Sequence, residues 1–257
     1  MKVPAAVQHW IVPLAMLIAW EGFGRAGVLP HYLPAPSVIV AALVEVTRDG
    51  ELPHAMAISL FRVSIGFVLG AGGGVLVGLG AGLVPGIRHF FDPLVAFLYA
   101  VPKIAFLPIF LLLFGLGNES KIAIVTFSCF FPVFIASRHA VLSVSRHIIW
   151  SAQNMGAPPA TMLLRVVVPA AAPQLFSGAR IGLAHCFVLL FAAELMGLQG
   201  GLGALIVDGD NAARFDLMFA GIVTFALLGF LGDRLLMAVR RLALRGQIVG
   251  TVEQLVR

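Results

Sequence analysis

The chain has 257 residues, 60% of them hydrophobic and only 11% charged, with a mean hydropathy of +1.01, a formal charge of +5 and a pI of 9.9. Soluble domains carry roughly 25% charged residues, and a soluble core could not hide this much apolar surface, so the solvent must be lipid. The basic residues are spread among the loops, as the positive-inside rule expects, which argues against a nucleic-acid partner.

Crossing a bilayer takes ~20 apolar residues, which leaves room for about six spans. The expected class is an all-α polytopic membrane protein, one domain over 1–257 with its core at 54–245. Cys129 and Cys186 fall in apolar segments without metal-ligand spacing and read as packing residues.

Lys2 and the apolar run behind it have the form of a signal peptide, but residues 22–25 give no small-x-small cleavage site. A retained first span over 9–24 is expected, with Glu21 near its end snorkelling or paired. Residues 33–37, LPAPS, make an extended stop, and Ser37 is placed to cap a short surface helix over 38–47. Span two, 61–83, carries Gly66, Gly70, Gly74, Gly78 and Gly82, with Gly86 one step further. Glycine costs ~1 kcal/mol per position in a soluble helix; in lipid the return is close approach of a neighbouring helix. That neighbour is either another helix of this chain or a sliding face between subunits.

Asp92 and Pro93 read as N-cap and first residue of span three, 93–116. Pro102, Lys103 and Pro108 interrupt it, and a broken helix is tolerated where protein or a water-filled cavity surrounds it. Lys103 is then a candidate for the pathway or a snorkelling residue. Span four covers 122–142, with Pro132 inside and Arg138 at its basic end. Span five covers 174–198. Its Arg180 and Glu194 lie fourteen residues apart, ~21 Å along a helix, so they cannot pair with each other. Glu194 is either a cavity-lining carboxylate or the acceptor of a structural hydrogen bond. Residues 197–216 are rich in Gly and hold Asp208, Asp210 and Asp216 without the ligand series of a calcium loop; an outward surface loop is expected. Span six covers 217–239.

Between spans four and five lies WSAQNMGAPPATMLLRVVVP, 150–169. Gly156 breaks it, and Pro158 and Pro159 suit only the first turn of a new helix. The expectation is a bent hairpin over 146–169: a helix to Met155, a turn at Gly156 and Ala157, a second short helix to about Val167, and a new element from Pro169. With the N-terminus inside, inner segments hold Lys2, Arg88, Arg138, Arg146, Arg165, Arg240, Arg241, Arg245 and Arg257. Outer ones hold Arg25, Arg48, Lys121 and Arg214 together with most of the acids. Both termini and the hairpin are then cytoplasmic. The sequence has no G-x-x-x-x-G-K-[ST] and no catalytic or metal-binding signature, so it is not expected to be an enzyme or to bind ATP itself.

The hairpin resembles the loop by which the membrane subunit of a bacterial ABC importer docks onto its ATPase. That pattern reads Glu-Ala-Ala, three residues, Gly, nine residues, Ile-x-Leu-Pro. Here Gly156 precedes Pro169 by thirteen positions, Ala152 stands for the second Ala, and Val166 and Val168 for Ile and Leu. Trp150 replaces the acidic residue and Ser151 the first Ala. Further stretches, among them SLFRVSIGF, FDPLVAFLYAVPKIAFLPIFLLLFGLG, FFPVF and AELMGLQGGLGALI, resemble the nitrate, sulfonate and taurine branch of these permeases.

The resemblance implies a homodimer in the inner membrane, two cytoplasmic ATPases that use ATP and Mg, and an external substrate-binding protein. It implies ATPase coupling through Trp150, Ser151, Ala152, Gly156, Ala157, Arg165 and Pro169. Pro102, Lys103, Arg180 and Glu194 are candidates for the path of a small anion. The rival is an ion-coupled secondary transporter or channel working without an ATPase, through Lys103 and Glu194.

Overall fold

The computed structural model describes residues 5–197 and 199–245; Lys2, Leu198 and Arg257 lie outside them. All regular structure among the described residues is helical: α1 Ala5–Arg25, α2 Pro36–Arg48, α3 Glu51–Leu83, α4 Pro85–Ala100, a 3-10 turn Lys103–Phe106, α5 Leu107–Phe114, α6 Asn118–Leu142, α7 Arg146–Asn154, α8 Pro159–Met162, a π turn Leu163–Val167, α9 Val168–Gly197, α10 Leu202–Asn211 and α11 Phe215–Ala243. Among the described residues, four stretches are long and apolar enough to cross a bilayer: Glu51–Leu83, Asn118–Leu142, Pro159–Met196 and Phe215–Ala243. The pair Pro85–Ala100 and Lys103–Phe114, bent by 96°, makes a broken span or a re-entrant loop. Helix α1 is not in that set, although Trp10, Val12 and Met16 leave it apolar and exposed.

The glycine ridge explains why α3 and α6 lie together. A Cβ at Gly70 would stand 2.6 Å from the Thr126 carbonyl oxygen, and one at Gly78 2.6 Å from that of Phe134; Gly66, Gly74 and Gly82 are equally close to Val125, Val133 and Val141. The ridge is therefore a seam within the chain, backbone against backbone. Gly86 does not belong to it, because α3 ends at Leu83 and a Cβ there would meet nothing. Helix α6 packs in turn on α9, and α11 closes on α9, α10 and α2. Val63, Ile124, Cys129, Cys186, Leu190 and Leu202 lie in the shared core.

Several expected boundaries shift for local reasons. Ser37 is not a cap: α2 starts at Pro36, and the Glu21 carboxylate reaches from α1 to accept the Ser37 backbone N–H at 2.9 Å while also pairing with Arg25. Span two begins earlier, at Glu51; its 33 residues make ~50 Å, well beyond a ~30 Å hydrocarbon layer. Asp92 and Pro93 do not open a helix. Pro85 does, Pro93 lies inside α4, and Asp92 pairs with Arg138 of α6 at 2.7 Å. Pro108 occupies the first turn of α5, where its missing N–H costs nothing.

Pro169 is the second residue of α9, but no break precedes it: helix runs on from Pro159 to Met196, and span five begins fifteen residues before Gln174. Residues 197–216 are not a surface loop: α10 buries Leu202, Leu205 and Ile206 against its neighbours. Lys121, expected in an outer loop, is wholly buried in α6 and donates to the Leu116 carbonyl at 3.0 Å. Just before α11, Arg214 bridges Glu45 of α2 and Asp216 at 3.0–3.1 Å, and these bonds, Glu45's foremost, raise its pKa above the ordinary value.

Candidate functional site

The hairpin is built by its turn. Helix α7 ends at Asn154, Met155 is its C-cap, and Gly156 takes φ +76°. The Gly156 N–H donates to the Gln153 carbonyl at 2.9 Å and the Ala157 N–H to the Ala152 carbonyl at 3.1 Å. These two bonds make a Schellman cap, which wants glycine at the left-handed position. Pro158 follows in extended geometry and Pro159 opens α8. Pro169 brings no N–H to the carbonyl four residues back, and just ahead of it the ladder widens into the π turn, where Val168 N–H bonds Leu163. The helix is bent locally but not interrupted.

The hairpin carries an uncovered apolar surface. Met155 at its tip is 81% exposed; Trp150 (edge-on to His147), Ile148 and Leu164 are exposed as well. Ser151 and Arg165 are also exposed. Ala152 is not: it is turned inward at 5% exposure and cannot offer close approach to a partner as its place in the motif suggests. Behind the hairpin, Leu83, Ile149, Met162, Leu163 and Val167 line an apolar cavity of about 410 Å³ against the end of α3.

The second feature is a buried polar cluster. Glu194 on α9 is fully buried and accepts Nη1–H of Arg62 at 2.7 Å, the Ser59 hydroxyl at 2.8–2.9 Å and the Gly203 N–H at 3.0 Å. Arg62, 2% exposed, also donates to Asn118 Oδ1 at 2.8 Å and to the carbonyls of Gln199 and Gly200 at 2.7 and 3.0 Å. Ser59 Oγ accepts the Leu202 N–H at 2.9 Å. Nearly every lone pair and proton is used, as a buried charge pair requires. Gly201, at φ +89°, leaves no room for a side chain: a Cβ would lie 2.5 Å from Glu194 Oε1. Glu194 thus ties α3, α9 and the start of α10 together. The sequence reading assigned no role to Arg62. The signal was there, an arginine within an apolar glycine-rich span and a glutamate in another, two charges that lipid would drive together.

The remaining candidates stay apart from this cluster. Lys103 follows the bend of the broken span, its Nζ 4.4 Å from the Tyr99 ring centroid and 5.8 Å from that of Phe131, a cation–π seat. Pro102 beside it makes the bend. Arg180 pairs through the Nε–Nη2 edge of its guanidinium with both carboxylate oxygens of Asp233 of α11, the Nη2–Oδ2 bond measuring 3.1 Å. Asp233 was not singled out in the sequence.

Apolar spans joined around a sealed polar knot, a broken span and a bent hairpin define a polytopic membrane protein. The chain matches the family described as binding-protein-dependent transport system inner membrane component over residues 74–243. It is 33% identical over 236 residues to the putative aliphatic sulfonates transport permease protein SsuC of Bacillus subtilis, covering 91% of this chain and 86% of that one. It is also 33% identical over 217 residues to the taurine transport system permease protein TauC of Escherichia coli, covering 82% and 79%. Among solved structures, the inward-facing MetNI methionine ABC transporter shares the fold, with a TM-score of 0.55 at 23% identity over 74% of this chain and 94% of that chain. The chain belongs to the family of binding-protein-dependent transport system inner membrane components: it is an ABC transporter permease.

Proposed function

We propose that this permease carries a small sulfonate-type solute across the inner membrane as half of a homodimer. Two cytoplasmic ATPases supply ATP and Mg chemistry, and an external binding protein delivers the solute. The names of the relatives, aliphatic sulfonates and taurine, support the solute class. The loop charges support an orientation with both termini and the hairpin in the cytoplasm.

The observation that carries the mechanism is the unbroken helix from Pro159 to Met196. One arm of the hairpin is the start of this spanning helix, which also carries Arg180 and Glu194. An ATPase that grips the exposed tip around Met155 and Trp150 moves α9 directly, with no loop to absorb the stroke. Closure of the two ATPases on ATP tilts α9 and the helices packed on it, and the path opens outward; hydrolysis reverses it. The Arg62–Glu194 knot keeps α10 and the 199–201 turn fixed to α9 through the stroke.

The test is recovery of the tagged chain from its native membrane in detergent, followed by ATP-dependent uptake of a labelled sulfonate into inner-membrane vesicles. An ATPase is expected to come down with the chain, and uptake to require ATP. A chain recovered without any ATPase, with uptake indifferent to ATP, would remove the reading.

A further inference from the structure

The Arg180–Asp233 pair has a setting that a merely structural salt bridge does not need. Both residues lie in stretches long and apolar enough to cross a bilayer, Arg180 in Pro159–Met196 and Asp233 in Phe215–Ala243. Yet the Arg180 side chain is 55% exposed on the chain's surface. Ionised side chains within a spanning stretch face protein or a water-filled path. Beside it is a cavity of about 210 Å³, lined by Arg180, Ala184, Phe187, Gly229, Phe230 and Asp233, the space of about seven waters at ~30 Å³ each. Small residues open it, two aromatic rings wall it, and one charge of each sign stands at its edge. Arg234 stacks on Phe230, 4.8 Å from the ring centroid, and does not line the cavity.

The geometry points to a solute-binding subsite on the translocation path that takes a small zwitterion, its acid group on Arg180 and its ammonium on Asp233. This rests on the permease reading above and narrows its solute. A plain anion finds the Nε–Nη2 edge of Arg180 already held by Asp233 and must approach beside that carboxylate, a like-charge contact that selects against it. A zwitterion exchanges one ion pair for two, and Phe187 and Phe230 cover its methylenes. The two relatives' names span both kinds of solute, plain aliphatic sulfonates and the amino-sulfonate taurine; Asp233 is the residue that separates them here.

The test is uptake of labelled taurine and of ethanesulfonate, which lacks the amine, by cells carrying the whole transporter. Rates are normalised to permease in the membrane by immunoblot. Wild type is expected to prefer taurine. Asp233→Asn is expected to lose taurine uptake tenfold or more while ethanesulfonate uptake holds or rises. Asp233→Glu keeps the carboxylate and the preference, and Arg180→Gln loses both solutes. Equal loss of both solutes in Asp233→Asn, or no change in their ratio, makes the pair structural and overturns the inference. Wild type that takes up both solutes equally overturns it too and leaves the sulfonate reading standing. Wild type that takes up neither removes both.

Discussion

Gly156 is the residue whose replacement is most informative, because its surroundings separate backbone strain from crowding. Its φ of +76° lies in the left-handed region, and a Cβ built there meets nothing within 4 Å. The cost of a side chain is therefore conformational alone, ~1–2 kcal/mol for an ordinary L-residue, with more for a β-branched one. That is a factor of roughly 5–30 in the population of the closed turn. The penalty opens two bonds, Gly156 N–H to Gln153 and Ala157 N–H to Ala152, and splays the arms. Asparagine tolerates this conformation best among side-chain-bearing residues. The expected order of ATPase recovered per permease is glycine, then asparagine, then alanine, then valine, with insertion unchanged in all four. Pull-down with quantitative immunoblotting measures it. Asparagine as damaging as valine would refute the reasoning, since the effect would then come from bulk against a partner and not from the turn.

Three further outcomes follow from the packing. Arg62→Met or Glu194→Gln alone leaves a buried charge or carbonyls without a partner and should cost ~3–5 kcal/mol, read as a lower melting temperature in detergent. The double variant should lose less than the sum of the two, and strict additivity would contradict the network. Gly70→Val drives a side chain into the Thr126 carbonyl and should lower the melting point or the yield of inserted protein. Gly72→Ala meets nothing within 4 Å and should be neutral or stabilising by up to ~1 kcal/mol of helix propensity; similar losses in both would deny the α3–α6 seam. Gly201→Ala combines φ +89° with a clash on Glu194 and should destabilise more than Gly200→Ala, whose nearest neighbour is the movable tip of Ile58.

What the sequence made legible was local. Gly156 and the two prolines behind it dictate the turn from their own dihedral limits, and Pro102 marks the bend of the broken span. What it concealed depended on partners far along the chain. Ser37 had the position of a cap, but Glu21, sixteen residues away, supplied the carboxylate. Pro85 and Pro93 both suit a helix start; Pro85 opens the helix, and Asp92 is held instead by Arg138. The 197–216 stretch looked like a loop because its glycines and aspartates are poor helix formers. They are tolerated because Gly203 and Gly209 allow close contact with Glu194 and Met218, and Leu202, Leu205 and Ile206 bury a full face. The Arg62–Glu194 pair joins residues 132 positions apart, and only the packing of α3 on α9 brings them together.

The most direct test of the account is a photo-crosslinking amino acid placed at Met155 on the hairpin tip and, separately, at Leu112 on α5. Both are highly exposed large hydrophobic side chains among the described residues, at 81% and 86%, but only Met155 stands where an ATPase is proposed to grip. In native membranes the Met155 probe should give an adduct with a cytoplasmic ATPase, while the Leu112 probe gives adducts with lipid or a second copy. An ATPase adduct from Leu112 and none from Met155 would contradict the hairpin as the point where ATP energy enters.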